Sequence, residues 1–189
     1  RLSVATHLSR RSDWQAAAEH LRHAARFNID DSSLDSLLHQ IREQQESSDW
    51  ATAGDGLLAL AHTEALVADR RKEAHAAQAW RQLGALRWDL AQHGEGAEDA
   101  FYRACTHAGE HGPFIYLSDL VDRLGTERAL KMAVARTERD ATSSDASMRA
   151  ELLTWVARLA MSDSQHDAAL TAALRSIELA PQAPRIPLA

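Results

Sequence analysis

Apolar residues recur at three- and four-residue spacing along the chain, the period of helices with one buried face. Leu2, Val4, Ala5 and Leu8 define a short helix over 2–10. Trp14, Ala17, Leu21 and Ala24 form one stripe over 13–27, opened by Ser12 and Asp13 as N-cap residues. Leu34, Leu37, Leu38 and Ile41 face inward from 33–46. Two longer helices follow, over 49–66 and 69–92, and His93-Gly94-Glu95-Gly96 reads as the turn before a helix over 97–108. Gly109 to Gly112 breaks that helix, and Pro113 suits the first turn of the next, 113–124. Gly125 ends it, and Thr126 caps 126–139, where Ala129 and Ala133 point inward. After the polar stretch 140–144 come helices over 146–162, burying Leu152, Leu153, Val156 and Ala160, and over 165–179.

The pattern repeats. Ser48-Asp49-Trp50 stands 36 residues after Ser12-Asp13-Trp14, and Ala53 and Leu57 match Ala17 and Leu21. Trp80, Leu83 and Gly84 lie at i, i+3 and i+4 on one helical face. Ala97 and Ala104 flank Phe101 on the face of the following helix. A glycine at such a position costs about 1 kcal/mol of helix propensity relative to alanine and lets a partner backbone come close. This W-x-x-L-G and A-x-x-x-F-x-x-A pairing resembles the tetratricopeptide repeat (TPR) family. The stretch ALRSIELAP, closing at Pro181, is similar to the end of another such unit.

The resemblance implies an all-α fold: an α-solenoid of about ten helices in five antiparallel hairpins. The approximate units are 1–29, 32–66, 69–109, 113–139 and 145–181, within a single domain 1–189. Equivalent alanines at 17, 53, 97, 129 and 169 are 36, 44, 32 and 40 residues apart. Tetratricopeptide units repeat every ~34 residues and HEAT units every ~40–47, so the array is divergent. Neighbouring hairpins in such an array bury each other's apolar faces.

Composition sharpens this reading. Ala, Leu, Glu, Arg and Gln abound, and the first proline is Pro113. A net charge of −6 gives no general attraction to nucleic acid, and no apolar run approaches the ~20 residues of a membrane span. The single cysteine, Cys105, allows no internal disulfide and fits a reducing compartment such as the cytoplasm. A chain that opens on Arg1 reads as a segment of a longer protein.

Chemistry-bearing motifs are few. His107, Glu110 and His111 spell H-x-x-E-H, which a zinc hydrolase would hold on one helix, but Gly109, Gly112 and Pro113 fall within or beside it. Glu19-His20-Leu21-Arg22-His23 reads as a solvated helix face, Cys105 as a small buried residue, and Arg70-Arg71-Lys72 as a solvated helix start. Trp14, Trp50 and Trp80 occupy core positions.

In the resembled family one side of each first helix lines a concave groove. Carried onto this chain, that places Gln78, Arg81, Trp88 and Asp89 in the groove, with Arg42, Arg158 and further Arg10 and Arg123. Such arginines suit an extended peptide bearing carboxylates. The alternative is that they pair with Asp35, Asp89, Asp119 or Glu151 as solvated ion pairs of little energetic weight. The expected function is a protein-interaction scaffold, not an enzyme, with no cofactor or metal and with a partner peptide or domain in the groove. The alternatives are a regulatory arm of a kinase or transcription regulator and, more remotely, the zinc hydrolase.

Overall fold

The computed structural model describes residues 2–26, 32–47, 55–139 and 146–181. The described residues fold into ten α-helices and contain no strand. The helices are α1 (Leu2–Arg10), α2 (Trp14–Ala25), α3 (Ser32–Ser47), α4 (Asp55–Arg70) and α5 (Ala76–Asp89). They continue as α6 (Gly94–His107), α7 (Gly112–Leu124), α8 (Thr126–Arg139), α9 (Ala146–Ser162) and α10 (His166–Leu179). The second Ser-Asp-Trp triplet, with Trp50 and Ala53, lies outside the described residues. The helices fall into two compact units, Arg1–His107 and Ala108–Ala189.

In the first unit α1 packs on α2, α2 on α4, α4 on α5 and α5 on α6. α4 is therefore covered on two sides. Ala59, Leu60 and Val67 join a core with Ala17, Leu21, Leu34 and Ile41, while Ala61, Ala65 and Ala68 join a second with Trp80 and Leu83. A helix with small residues on both sides can sit close to two neighbours at once. The 32–66 unit is consequently not a closed hairpin, because α4 touches α3 only slightly and packs mainly on α2 and α5. Trp14, expected in the core, is half-buried at its edge.

The α5–α6 pair contains the nest expected around Gly84, with one difference. A Cβ on Gly84 would lie 2.5 Å from Phe101 Cε1, so the partner that comes close is a ring and not a backbone. Trp80, Leu83, Phe101, Ala104 and Cys105 are all buried around it.

In the second unit α7 packs on α8 and α9, α8 on α9, and α9 on α10. Tyr116, Leu120, Ala129, Ala133, Leu152, Leu153, Val156 and Ala172 supply the core. Leu170, Leu174 and Ile177 lie exposed on α10.

Helix ends depart from expectation in two places. α4 runs on to Arg70 and α5 begins only at Ala76, where a helix starting at 69 was expected. Lys72 takes a left-handed φ of 54°, and the Glu73 N–H donates to the Ala68 carbonyl at 2.9 Å, closing a Schellman-type cap. Ser12 and Ser164 close α1 and α9 in the same way. Gly94-Glu95-Gly96, expected as a turn, forms the first turn of α6, where backbone N–H groups have no intrahelical partner to lose and glycine costs less. Asp13 caps α2 as expected, accepting from the Ala16 N–H at 3.4 Å.

Gly125 ends α7 at φ 76°, ψ 161°, a conformation open essentially only to glycine. No atom lies within 4 Å of where its Cβ would be, so a substitution there meets backbone strain alone. Gly125→Ala is expected to cost ~1–3 kcal/mol in urea unfolding. A loss below about 0.5 kcal/mol would mean the α7–α8 corner is not held as described.

Candidate functional site

Two surfaces of the first unit combine concavity with polar groups. The first is a groove of about 330 Å³ between α4 and α5. Leu57, Leu60, Ala61, Ala85 and Leu86 form its apolar floor, with Glu64 and Gln82 at its rim. At 100° per residue Gln78, Arg81, Trp88 and Asp89 all fall within about 60° of Ala85 on one face of α5. Gln78, Arg81 and Asp89 are exposed. Trp88 is half-buried, and its ring lies 3.6 Å from where a Gly94 Cβ would stand, at the start of α6. Arg42 reaches the same groove from α3, its Nε and Nη2 donating to Glu64 Oε1 at 2.9 and 2.7 Å. None of the expected groove residues is among those lining this cavity; Arg42 comes to its rim through Glu64, and Gln78, Arg81, Trp88 and Asp89 share the Ala85 side of α5 by helical period. Arg158 belongs to the second unit, where its guanidinium stands over the Trp155 ring, 5.1 Å from the centroid.

The ion pairs differ in part from those expected. Asp35 is held by Arg71 at 2.7 Å, not by Arg42. Arg123 does pair with Asp119, donating to its carbonyl at 3.1 Å with the carboxylate 3.7 Å away. Arg10 is exposed in the last turn of α1.

The second surface was not picked out from sequence. A cavity of about 590 Å³ opens between α2, α4 and the end of α5. Arg22, His62 and Arg87 line it, with Glu19, Asp55 and His93. Arg87 Nη1 donates to the Gly96 carbonyl at 2.8 Å, and Nη2 lies 3.5 Å from His62 Nδ1. Arginine has no acceptor, so the ring nitrogen facing it is the unprotonated one. The His62 ring also stands 6.1 Å from the buried ring of Trp80. Arg22 bonds to Glu19, whose other contact is His23 at 3.2 Å. This face of α2 is partly solvated, as its sequence suggests, and Glu19 ties Arg22 and His23 together there, with Glu19 and Arg22 also lining the cavity.

These groups disturb one another's protonation. Burial, and then the charges of Arg87, Arg22, Arg26 and Arg103, push His62 down to about 4. Burial also lowers Arg87, opposed by Asp99 and reinforced by Arg103 and Arg22. Burial pushes Glu19 up, but the hydrogen bond and charge of Arg22, together with His23, leave its carboxyl below the usual range.

His62 gives the first unit a pH dependence of definite sign. Its unfolded form takes up a proton near pH 6.5, whereas the folded form resists until about 4. Between these values the unfolded state binds more protons, so stability falls as the pH is lowered through that window. His62→Gln is expected to flatten the slope of urea midpoints between pH 6.5 and 4.5. An unchanged slope would mean His62 is solvated.

The H-x-x-E-H motif is not held on one helix. His107 is the last residue of α6 and its Nε2 lies 3.1 Å from Asp69, while Glu110 and His111 sit exposed in a 3₁₀ turn. Among the described residues no group of three or more His, Cys, Asp or Glu side chains is placed to hold a metal ion. No described helix is long and apolar enough to cross a membrane.

Comparison with protein-family models, with curated proteins and with solved structures gave no significant match.

Proposed function

We propose that this chain is a non-catalytic protein-interaction module, a divergent tetratricopeptide-like array whose α4–α5 groove takes an extended, acidic segment of a partner protein. One observation carries the reading: an apolar floor of Leu57, Leu60, Ala85 and Leu86 bordered by Gln82 and the Arg42–Glu64 pair. Apolar floor and polar rim together are the usual anatomy of a peptide groove. The floor supplies affinity by excluding water, and a partner segment that runs on along α5 would reach the half-buried Trp88 ring as an aromatic anchor. Arg42 at the rim selects carboxylates and sets the register of the partner segment.

The test is a panel of extended acidic peptides selected by display against the chain and measured by fluorescence anisotropy. Ala85→Arg, which fills the floor, and Trp88→Ala are each expected to weaken binding at least tenfold, about 1.4 kcal/mol. The helical circular dichroism of both variants should stay as in the parent. Peptides that bind both variants as tightly as the parent chain would remove the groove from the account.

A further inference from the structure

We infer that the cavity between α2, α4 and α5 is a second binding site, for an oxyanion held by Arg87 and Arg22 beside His62. The inference stands apart from the groove, which lies on another side of α4 and shares no lining residue with this cavity.

Three observations point the same way. First, Arg87 is half-buried, and among the described residues its hydrogen-bonding contacts are a backbone carbonyl and an imidazole. The carboxylate that acts on it, Asp99, is itself hydrogen bonded to Arg103 at 3.1 Å. A guanidinium has five N–H donors, and most of those on Arg87 are uncommitted. Second, Arg22 has a buried Nε without a hydrogen-bond partner, although its Nη2 is engaged by Glu19. A buried donor left without a partner is costly, so this guanidinium is incompletely satisfied where it lines the cavity. Third, the field inside the cavity is positive, since four arginines (22, 26, 87 and 103) all resist a proton on His62. A concave, partly desolvated site concentrates that field on an entering anion.

The acidic groups nearby do not cancel it. Glu19 is taken by Arg22 and His23 and offsets part of the Arg22 charge, which leaves Arg87 as the leading source of the positive field. Asp55 is exposed in the first turn of α4, where it complements the helix dipole. Facing His62 are therefore Glu19, Arg22 and Arg26 from α2 and its end, Arg87 from α5, Arg103 from α6, and His93 across the cavity. Gly96 fixes the geometry. A side chain there would strike the His93 ring, and its carbonyl is the acceptor that holds Arg87.

The ligand is a phosphate or carboxylate, whose oxygens match the fork of a guanidinium. Its charge offsets the arginines and favours a proton on His62, so anion and proton bind cooperatively. At constant ligand charge, affinity is expected to rise as the pH falls towards the His62 midpoint.

The test is a titration of the isotopically labelled full chain with inorganic phosphate and, separately, with glutarate, against chloride of matched ionic strength. The His62 ring resonances are followed by NMR. The expected result is a saturable shift with at least one probe and an upward move of the His62 midpoint from about 4. Binding should be at least tenfold weaker in Arg87→Gln and unchanged in the groove variant Arg42→Gln. Response to phosphate alone assigns a phosphate site, to glutarate alone a carboxylate site, and to both a general oxyanion site. If Arg87→Gln loses its helical signal, Arg87→Lys replaces it, keeping the charge and losing the fork. Absence of any saturable shift with either probe, or shifts that Arg87 variants leave intact, overturns the inference.

Discussion

Trp80→Ala is expected to destabilise the first unit by ~3–5 kcal/mol, the range for truncating a buried aromatic. The Trp80 side chain is 1% exposed, and its ring is sealed on several sides. α4 contributes Ala61, Ala65 and Ala68, α5 contributes Leu83, and α6 contributes Ala100 and Ala104. The Arg103 guanidinium lies over the ring, 4.8 Å from its centroid. Alanines cannot swing into the vacated space, so the cavity would stay open and the cost would fall high in the range. One term works the other way: the indole Nε1–H is buried without a partner, so its removal relieves a polar burial. Trp80→Phe should therefore cost much less than Trp80→Ala. Trp88→Ala, with the ring half-buried near Gly94, should cost no more than about 1 kcal/mol. Urea unfolding followed by far-ultraviolet circular dichroism measures all three. Equal losses for Trp80→Ala and Trp88→Ala would sink the assignment of one ring to the core and the other to the surface.

Gly84→Val should rank next. Even alanine here sets two effects against each other. It recovers about 1 kcal/mol of helix propensity, but its Cβ would stand 2.5 and 2.6 Å from two carbons of the Phe101 ring. That ring is 1% exposed and is one of the largest fully buried side chains in the molecule. It has nowhere to retreat, and overpacking of this kind costs ~1–3 kcal/mol. Valine adds two methyls and forfeits most of the propensity gain, so its loss should reach the top of that range or beyond. The informative measurement is a double-mutant cycle. In a Phe101→Leu background, Gly84→Ala should become neutral or stabilising, a coupling of ~0.5–3 kcal/mol. The same cost for Gly84→Ala in both backgrounds would show that the nest between α5 and α6 is not what selects glycine.

That nest was legible because its signal is steric and local: a glycine one turn from a tryptophan, answered by a phenylalanine between alanines. Helices α7 and α8 were legible for a related reason, since Pro113, Gly125 and Thr126 mark their ends. The start of α5 was not, because the left-handed residue that ends α4 is Lys72 and not glycine, so nothing in the chain interrupts the helical period there. Gly94 and Gly96 misled in the opposite sense. Their place in the first turn of α6 is set by the packing of the His93 ring and by the Arg87 hydrogen bond, both invisible in a linear pattern. The pairing of α4 with α2 was also hidden, because small residues on two faces of a helix do not say which neighbour comes to which face.

That Gln78, Arg81, Trp88 and Asp89 share one side of α5 follows from the helical period alone; that this side meets a partner is implied only by the family resemblance. The Arg22–His62–Arg87 cavity could not be read that way. Its three members are 40 and 25 residues apart and meet only through the packing of α2, α4 and α5. A partial signal existed in His62, a polar ring set in a helix otherwise rich in leucine and alanine. A histidine in such a setting has a satisfied structural role as readily as a functional one, so sequence gave no means of choosing.

The lone thiol of Cys105 supplies a built-in probe. It is fully buried on α6, beside the residues that close around Trp80 and Gly84. An alkylating reagent can reach the sulfur only when α6 lifts from its neighbours. The labelling rate of the unmodified protein therefore reports, without any added dye, how often that one helix opens under native conditions.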